Sequence, residues 1–232
     1  MEIYIGTSGW LYDWNKGMNL QWYVDHSGLN AVELNASFYR FPYPSQIQSW
    51  VRRGSRLRWA VKVHRLITHV RRLKASAVEV WERFYKLFKP MDDLIDFYLF
   101  QMPPSFKRAP ETVERVKRFV EETGLGLRFA IEFRHNSWFD DETKKLGEKL
   151  GIVIVSVDSP QATWIIKTND IIYLRLHGRT VWYAHNYSMN ELKQLASKII
   201  SLSPRKAYIF FNNNHWMLEN ARQFKTLLSA MA

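Results

Sequence analysis

Residues 171–178 read IIYLRLHG, a largely apolar run that carries one arginine and ends at a histidine and a glycine. Seven further runs have the same character: EIYIGTS (2–8), NAVELNAS (30–37), LRWAVKVH (57–64), IDFYLFQM (95–102), LRFAIEF (127–133), IVIVSVD (152–158) and AYIFFNN (207–213). Their near-continuous content of Val, Ile, Phe and Tyr is typical of parallel strands that are covered on both faces. We therefore interpret the eight runs as eight buried parallel strands.

Helical patterns separate these strands. The clearest begins with a capping box of Ser188 and Glu191 and continues with leucines and isoleucines at helical spacing. Eight strand-then-helix units, about 29 residues apart, predict an α/β fold, namely a single (β/α)8 TIM-like barrel with parallel strands. An open doubly wound sheet is the main alternative, and the lack of a Gly-rich dinucleotide motif after the first strand disfavours it. Only the helix after the sixth strand is weakly marked.

The composition predicts one domain, residues 1–232, because no linker or low-complexity segment interrupts the chain and 47% of its residues are hydrophobic. No apolar run reaches the roughly 20 residues needed to span a bilayer, and the amino terminus lacks the features of a signal peptide. We therefore expect a cytoplasmic protein without a membrane partner. The chain has no cysteine, so oxygen and imidazole groups are its only good metal ligands. Its many charged residues also suit a heat-adapted source.

The net charge of +11 is unevenly distributed. No acidic residue occurs between Glu33 and Glu79, whereas ten basic residues do. A field of this sign attracts an anionic or phosphate-containing ligand such as a nucleic acid. The predicted nucleic-acid-binding residues in this segment are Arg52, Arg53, Arg71, Arg72 and Lys74. The alternative is a solvated cationic face that keeps the protein soluble.

Polar groups end nearly every predicted strand, and the active site of a TIM barrel lies at the carboxyl ends of its strands. The candidate catalytic residues at these ends are Glu33, Lys62, Glu132, Arg134, His135, Asp158, Arg175 and His177. We expect them to converge, because a buried polar group without a partner costs about 1–3 kcal/mol. The alternative is a structural one, in which the two glutamates and the basic residues form a buried ion-pair network without catalysis.

A phosphate site is predicted in the loops after the seventh and eighth strands. Its residues are Gly178, Arg179, Asn212, Asn213 and Asn214. Backbone amides at the start of the last helix and the Arg179 guanidinium would supply directional donors for an anion. The alternative is that an asparagine simply caps that helix.

Three functional hypotheses follow from these residues. The first is hydrolysis of a phosphoester of a nucleic acid or nucleotide, in which Glu132, His135, Asp158 and His177 hold a divalent metal ion, the one cofactor the sequence suggests. Without a metal, Glu132 or a histidine would act as general base. The second is non-catalytic binding of a nucleic acid or a phosphorylated metabolite. The third is glycoside hydrolysis by Glu33 and Glu132 as a carboxylate pair.

Eight ordered motifs carry a family resemblance: GTSGW (6–10), ELNASFYRFP (33–42), AVKVHRLITH (60–69), FQMPPSF (100–106), AIEFRHNSW (130–138), VDSP (157–160), YLRLHGR (173–179) and IFFNNNHWMLENA (209–221). Through them the whole chain resembles the YecE-like family, the domain of unknown function seventy-two. The resemblance implies a barrel and a pocket that holds the strand-end residues above together with Gln101, but no established reaction. One departure is that His215 and Trp216 follow the asparagines, where the family often has a small residue.

Overall fold

The computed structural model describes residues 1–231. The strands are β1 Glu2–Ser8, β2 Ala31–Leu34, β3 Arg58–Lys62, β4 Ile95–Gln101, β5 Phe129–Glu132, β6 Val153–Ile154, β7 Ser156–Asp158, β8 Thr163–Trp164, β9 Ile171–Leu176 and β10 Lys206–Phe211. The α-helices are α1 Leu20–His26, α2 Pro44–Arg53, α3 Val78–Phe88, α4 Pro110–Thr123, α5 Asp141–Leu150, α6 Met189–Ser201 and α7 Met217–Met231. Within residues 1–231, no helix is both long and apolar enough to cross a membrane.

The strands form one curled sheet in the order β6-β5-β4-β3-β2-β1-β10-β9-β7-β8. Every pair is parallel except β7 with β8, which is antiparallel. Because most of the strands are followed by an α-helix that returns the chain to the start of the next strand, their carboxyl ends meet at one edge of the sheet. The α/β fold with a mostly parallel sheet is therefore confirmed.

The sixth predicted strand is divided into two. β6 pairs with β5 and β7 pairs with β9, while Val155 between them donates its N–H to the Ile131 carbonyl at 2.9 Å. The chain then forms the short antiparallel β8 where the sequence predicted a helix, so the repeat of strand then helix is interrupted here. The Ser156 hydroxyl bonds to both backbone groups of Ile166 at 3.0 Å, which holds this segment against β7.

The strands separate two apolar clusters. The larger lies between the sheet and the helices. The smaller, which we call the inner cluster, lies on the other face and contains Ala31, Ala60, Phe97, Leu99, Ala130, Val153, Val155, Ile171, Tyr173, Tyr208 and Phe210. The Tyr173 ring lies 5.1 Å from both the Phe97 and the Phe210 ring, measured between centroids. The inner cluster thus fills the interior of the curled sheet and lies directly beneath the residues at the carboxyl ends of the strands.

Candidate active site

Alternation along the strands places the candidate residues above the inner cluster. Side chains two positions apart in a strand share a face, and several strands have a charged residue two positions after a member of the inner cluster. These residues are Glu33, Lys62, Glu132 and Arg175. His177 continues the same alternation beyond Arg175. The structure therefore gathers these five residues at one edge of the sheet, which we call the mouth.

A buried chain of opposite charges crosses the mouth. The Arg175 guanidinium donates to Glu33 Oε1 at 2.6 Å through Nη2 and to Glu132 Oε2 through Nη1, and all three side chains are fully buried. Arg134 Nε contacts Glu132 Oε1 as an ion pair, although neither atom has a hydrogen bond of good geometry. We call Glu33, Arg175, Glu132 and Arg134 the charge network. The charge network matches the buried ion-pair network that we considered, from the sequence, as the alternative to a catalytic site.

Both carboxylates of the network contact several polar groups. Glu33 accepts hydrogen bonds from the Ser8 and Tyr173 hydroxyls at 2.7 Å each, in addition to Arg175. Burial alone would raise the pKa of Glu132, but the charges of Arg134 and Arg175 outweigh it and hold that pKa well below its usual value. Glu132 is therefore ionised at neutral pH.

His177 is a neutral member of the mouth. Burial is the main reason that its pKa lies well below the usual value, and the charge of Arg134 lowers it further. Its Nε2 lies 3.3 Å from Glu132 Oε1 and its Nδ1 lies 3.0 Å from Asn212 Nδ2. Nε2 also lies 3.2 Å from Arg134 Nη2, and because a guanidinium can only donate, Nε2 accepts this hydrogen bond and lies beside Glu132 Oε1 without donating to it.

Among the residues that the structure describes, Lys62 is the one strand-end cation without a counter-ion. Among residues 1–231 no carboxylate oxygen lies within 4.0 Å of its Nζ, which instead lies 4.2 Å from the centroid of the Phe38 ring. The side chain keeps some exposure to solvent, yet burial of the amine is the largest cause that lowers its pKa from 10.5 to about 7, and the charge of Arg175 is the next. Lys62 is therefore partly neutral at physiological pH.

The four predicted metal ligands do not assemble into one site. Glu132 and His177 are in contact, but His135 Nδ1 accepts from the Ser137 backbone N–H at 3.1 Å and so caps a short turn. Asp158 accepts from the Tyr187 hydroxyl at 2.7 Å and from Arg179 Nε at 3.1 Å. In the part of the chain that the structure describes, no three His, Asp or Glu residues are grouped so that they could hold a metal ion.

The predicted phosphate-binding residues form hydrogen bonds and ion pairs with other residues of the protein. Arg179 pairs with Asp158, and the Gly178 N–H donates to the Tyr187 hydroxyl at 2.9 Å. Asn213 Nδ2 donates to the His185 carbonyl at 2.8 Å. The Asn214 carbonyl accepts from Trp14 Nε1 at 3.2 Å, so of the three asparagines only Asn212 reaches the mouth. Most of this set holds loops together.

A loop covers the mouth, and of its residues only Arg179 was among the predicted site residues. In this covering loop, residues 179–187, the Trp182 ring lies 4.7 Å from the Arg134 guanidinium carbon and 5.5 Å from the His177 ring. Arg134, Trp182 and Tyr183 also line an open cavity of about 560 Å³ together with Pro104, Pro160 and Gln161. This cavity brings solvent to the one guanidinium of the network that is not fully enclosed, since Arg134 is 8% exposed.

A second cavity, of about 530 Å³, lies elsewhere, between residues 73–78 and helix α4. Four of its charged side chains pair with each other along the helix surface, Arg115 with Glu111 and Arg118 with Glu114. None of them belongs to the strand ends. We therefore place the candidate active site at the mouth and not in this groove.

The basic segment is divided between the two ends of the sheet. Arg52 and Arg53 lie in the last turn of α2, which leads into the amino end of β3. Arg71, Arg72 and Lys74 follow the carboxyl end of β3 and therefore lie on the side of the mouth. The predicted nucleic-acid residues thus do not form one patch, because a strand separates them.

Fold and site together define an α/β protein with a mostly parallel, curled sheet and a polar cluster at the strand ends. A family model described as "Protein of unknown function DUF72" matches residues 4–232, so the chain belongs to the DUF72 family.

Two solved structures show the same fold. A DUF72 family protein from Thermotoga maritima MSB8 is 30% identical, with a TM-score of 0.87 over 99% of this chain and 100% of that one. A DUF72 family protein from Enterococcus faecalis V583 is 22% identical, with a TM-score of 0.83 over 98% of each chain. A comparison with curated proteins gives no match.

Proposed function

We propose that the protein hydrolyses a phosphoester of a small phosphate-bearing substrate at the mouth, with Lys62 as general base and Arg134 as the anion-binding group. The observation that carries this proposal is the Lys62 amine, which has no counter-ion beside a network whose own charges are paired. An unpaired amine can serve as general base, whereas the guanidinium groups and the ion-paired carboxylates of the network are not available for that role.

The charge balance of the mouth favours an anion. The two carboxylates and two guanidinium groups of the charge network cancel, and His177 is neutral. In the molecules with protonated Lys62 the mouth has an excess of positive charge that attracts a phosphate group, and the amine must lose this proton before it acts as base. Arg71, Arg72 and Lys74 on the same side add a long-range attraction for such a substrate.

The proposed reaction needs only groups of this chain. Neutral Lys62 accepts a proton from a water molecule as its oxygen forms a bond to phosphorus. The ester P–O bond breaks, and the leaving oxygen takes a proton from solvent. Arg134 stabilises the charge that develops on the phosphate oxygens, and the network fixes the position of Arg134 through Glu132.

Two features separate this proposal from the other hypotheses. A glycosidase requires one protonated carboxyl group as acid, but Glu132 is held ionised and Glu33 already accepts three hydrogen bonds. The metal-assisted version assigns ligands to Asp158 and His135, which lie in other contacts. We therefore propose a hydrolysis without a metal step.

We also propose that the curled sheet is a closed barrel with eight strand positions. The interrupted strand of residues 153–158 supports closure, because one half of it pairs with β5 and the other half pairs with β9. Closure of this kind would bring Glu132 and Arg175, from strands on either side of that segment, within reach of each other. Their ion pair agrees with it.

A phosphatase assay with p-nitrophenyl phosphate and a set of nucleoside monophosphates tests the function. We expect Lys62→Gln to lower kcat/KM by at least about 100-fold, the usual contribution of a general base, and Arg134→Gln to raise KM. Lys86→Gln, at an exposed lysine of α3, is the matched control and should leave turnover unchanged.

Added chelator should also have no effect on the rate. If the wild-type protein binds inorganic phosphate but hydrolyses none of these substrates, it is a phosphate-binding protein and not a hydrolase. A fully active Lys62→Gln variant would rule out Lys62 as the general base.

A further inference from the structure

The surroundings of Lys62 are those of a nucleophilic amine. Its backbone is fixed, because the Ser37 hydroxyl donates to the Lys62 carbonyl at 2.7 Å. A π-helical turn, Leu66–Val70, follows the strand and places His69 next to the amine. The turn is of a kind that often occurs at functional sites. The other ionisable groups that face the amine are Glu33, Glu132, Arg134 and Arg175.

We propose that Lys62 is a covalent binding site for a small anionic aldehyde or ketone, whose carbonyl carbon it attacks to form an imine. The step is balanced: the amine nitrogen forms a bond to carbon, the two protons of the neutral amine and the carbonyl oxygen leave as water, and no oxidant or reductant is needed. This activity goes beyond the phosphoester hydrolysis proposed above and shares with it the neutral Lys62 amine and the anion-binding role of Arg134.

The neutral amine is what makes the attack feasible. With a pKa of about 7, about half of the Lys62 side chains carry a free electron pair at pH 7, whereas an exposed lysine is almost fully protonated. Lysines that are desolvated or adjacent to another cation are the ones that proteins use for imine formation. Lys62 meets both conditions, and its Nζ lies over the Phe38 ring.

His69 adds no charge to the site. Burial lowers its pKa to about 4, with Lys62 and Arg65 as further causes, so it is neutral when the amine attacks. The His69 ring packs edge to face on Phe38, with centroids 4.9 Å apart, and its Nδ1 lies 2.9 Å from the Thr68 hydroxyl. Phe38 and His69 thus pack beside the amine without forming an ion pair with it.

Reductive trapping on the whole protein tests the proposal. The probe is pyridoxal 5′-phosphate, an aldehyde that carries a phosphate, with sodium cyanoborohydride to convert the imine to a stable secondary amine. At pH 7 we expect peptide mass spectrometry to show Lys62 labelled at least tenfold faster than the exposed Lys86. Lys62→Arg keeps the positive charge, removes the primary amine and should lose the fast label, whereas Lys86→Arg should keep it.

The outcomes separate this proposal from the preceding one. Excess inorganic phosphate that slows the labelling of Lys62 supports both the anion site and the imine. Fast labelling that phosphate does not slow supports the imine and contradicts the phosphate site. Labelling of Lys62 no faster than that of Lys86, in protein whose circular dichroism is native, overturns the imine, whatever the phosphatase assay gives. Should Lys62→Arg fail to fold, the wild-type rates of Lys62 and Lys86 alone decide.

Discussion

Replacing Arg175 by methionine is expected to lower the free energy of unfolding by about 3–5 kcal/mol, the cost of removing one partner from a buried ion pair. Arg175 is fully buried between Glu33 and Glu132, and both carboxylates are fully buried as well. Without the guanidinium, two buried negative charges face each other with reduced compensation. Urea unfolding followed by tryptophan fluorescence measures the loss.

A triple variant provides the control for this prediction. Glu33→Gln and Glu132→Gln added to Arg175→Met remove both carboxylate charges at once, so most of the lost stability should return. This recovery would show that the cost arises from uncompensated charge and not from lost packing. A single Arg175→Met variant whose stability lies within experimental error of the wild type would contradict the network as described.

Replacing Lys62 by methionine should have the opposite effect and stabilise the protein. The amine has no counter-ion within 4.0 Å among the described residues, and burial of its charge is unfavourable. Methionine fills a similar volume beside Phe38 without a charge. We expect the free energy of unfolding at pH 7 to rise by on the order of 1–3 kcal/mol, while phosphatase activity and imine trapping are both lost.

The stabilisation should depend on pH in a defined direction. Below pH 7 the amine is charged in the folded and the unfolded protein, so the wild type carries the full penalty and the methionine variant has its largest advantage. Between the folded pKa of about 7 and the unfolded value of 10.5, the folded protein holds fewer protons than the unfolded chain. The wild type therefore gains stability as pH rises.

The advantage of the variant should accordingly shrink across this range and disappear above it. Parallel urea titrations of both proteins at pH 6, 8 and 10 measure the change. An advantage that is constant with pH, or that grows, would mean that Lys62 is not neutralised by folding. The same series with Lys86→Met, at a solvent-exposed site, should show little difference from wild type at any pH.

Much of the site could be predicted from strand ends alone. A period of two relates Tyr173 to Arg175 and His177, and relates the small inward residues to Glu33, Lys62 and Glu132, so the sequence contains the signal that gathers them. Asp158 lies three positions after Val155, a member of the inner cluster, so the same period of two places it on the opposite face, where it bonds to Tyr187 and Arg179.

The rest of the site depends on contacts that no local pattern reports. Trp182 belongs to a loop without periodicity, and only the fold brings its ring over Arg134. The basic segment, which no acidic residue interrupts, is divided in space because β3 lies between its two halves and places them at opposite ends of the sheet. Whether a strand-end cation has a counter-ion likewise depends on the distance between side chains in the folded protein. The sequence pattern therefore does not distinguish Lys62 from Arg175.

Titration of Lys62 in the folded protein is the most direct test of the account, since both the hydrolysis and the imine require a neutral amine at the mouth. Carbon-13 NMR of protein labelled at the lysine side chains, with the Lys62→Arg spectrum as assignment, follows each amine separately. We predict that the Lys62 signal titrates near pH 7 while the Lys86 signal titrates as an ordinary lysine does. A Lys62 signal that titrates together with that of Lys86 would contradict the central claim.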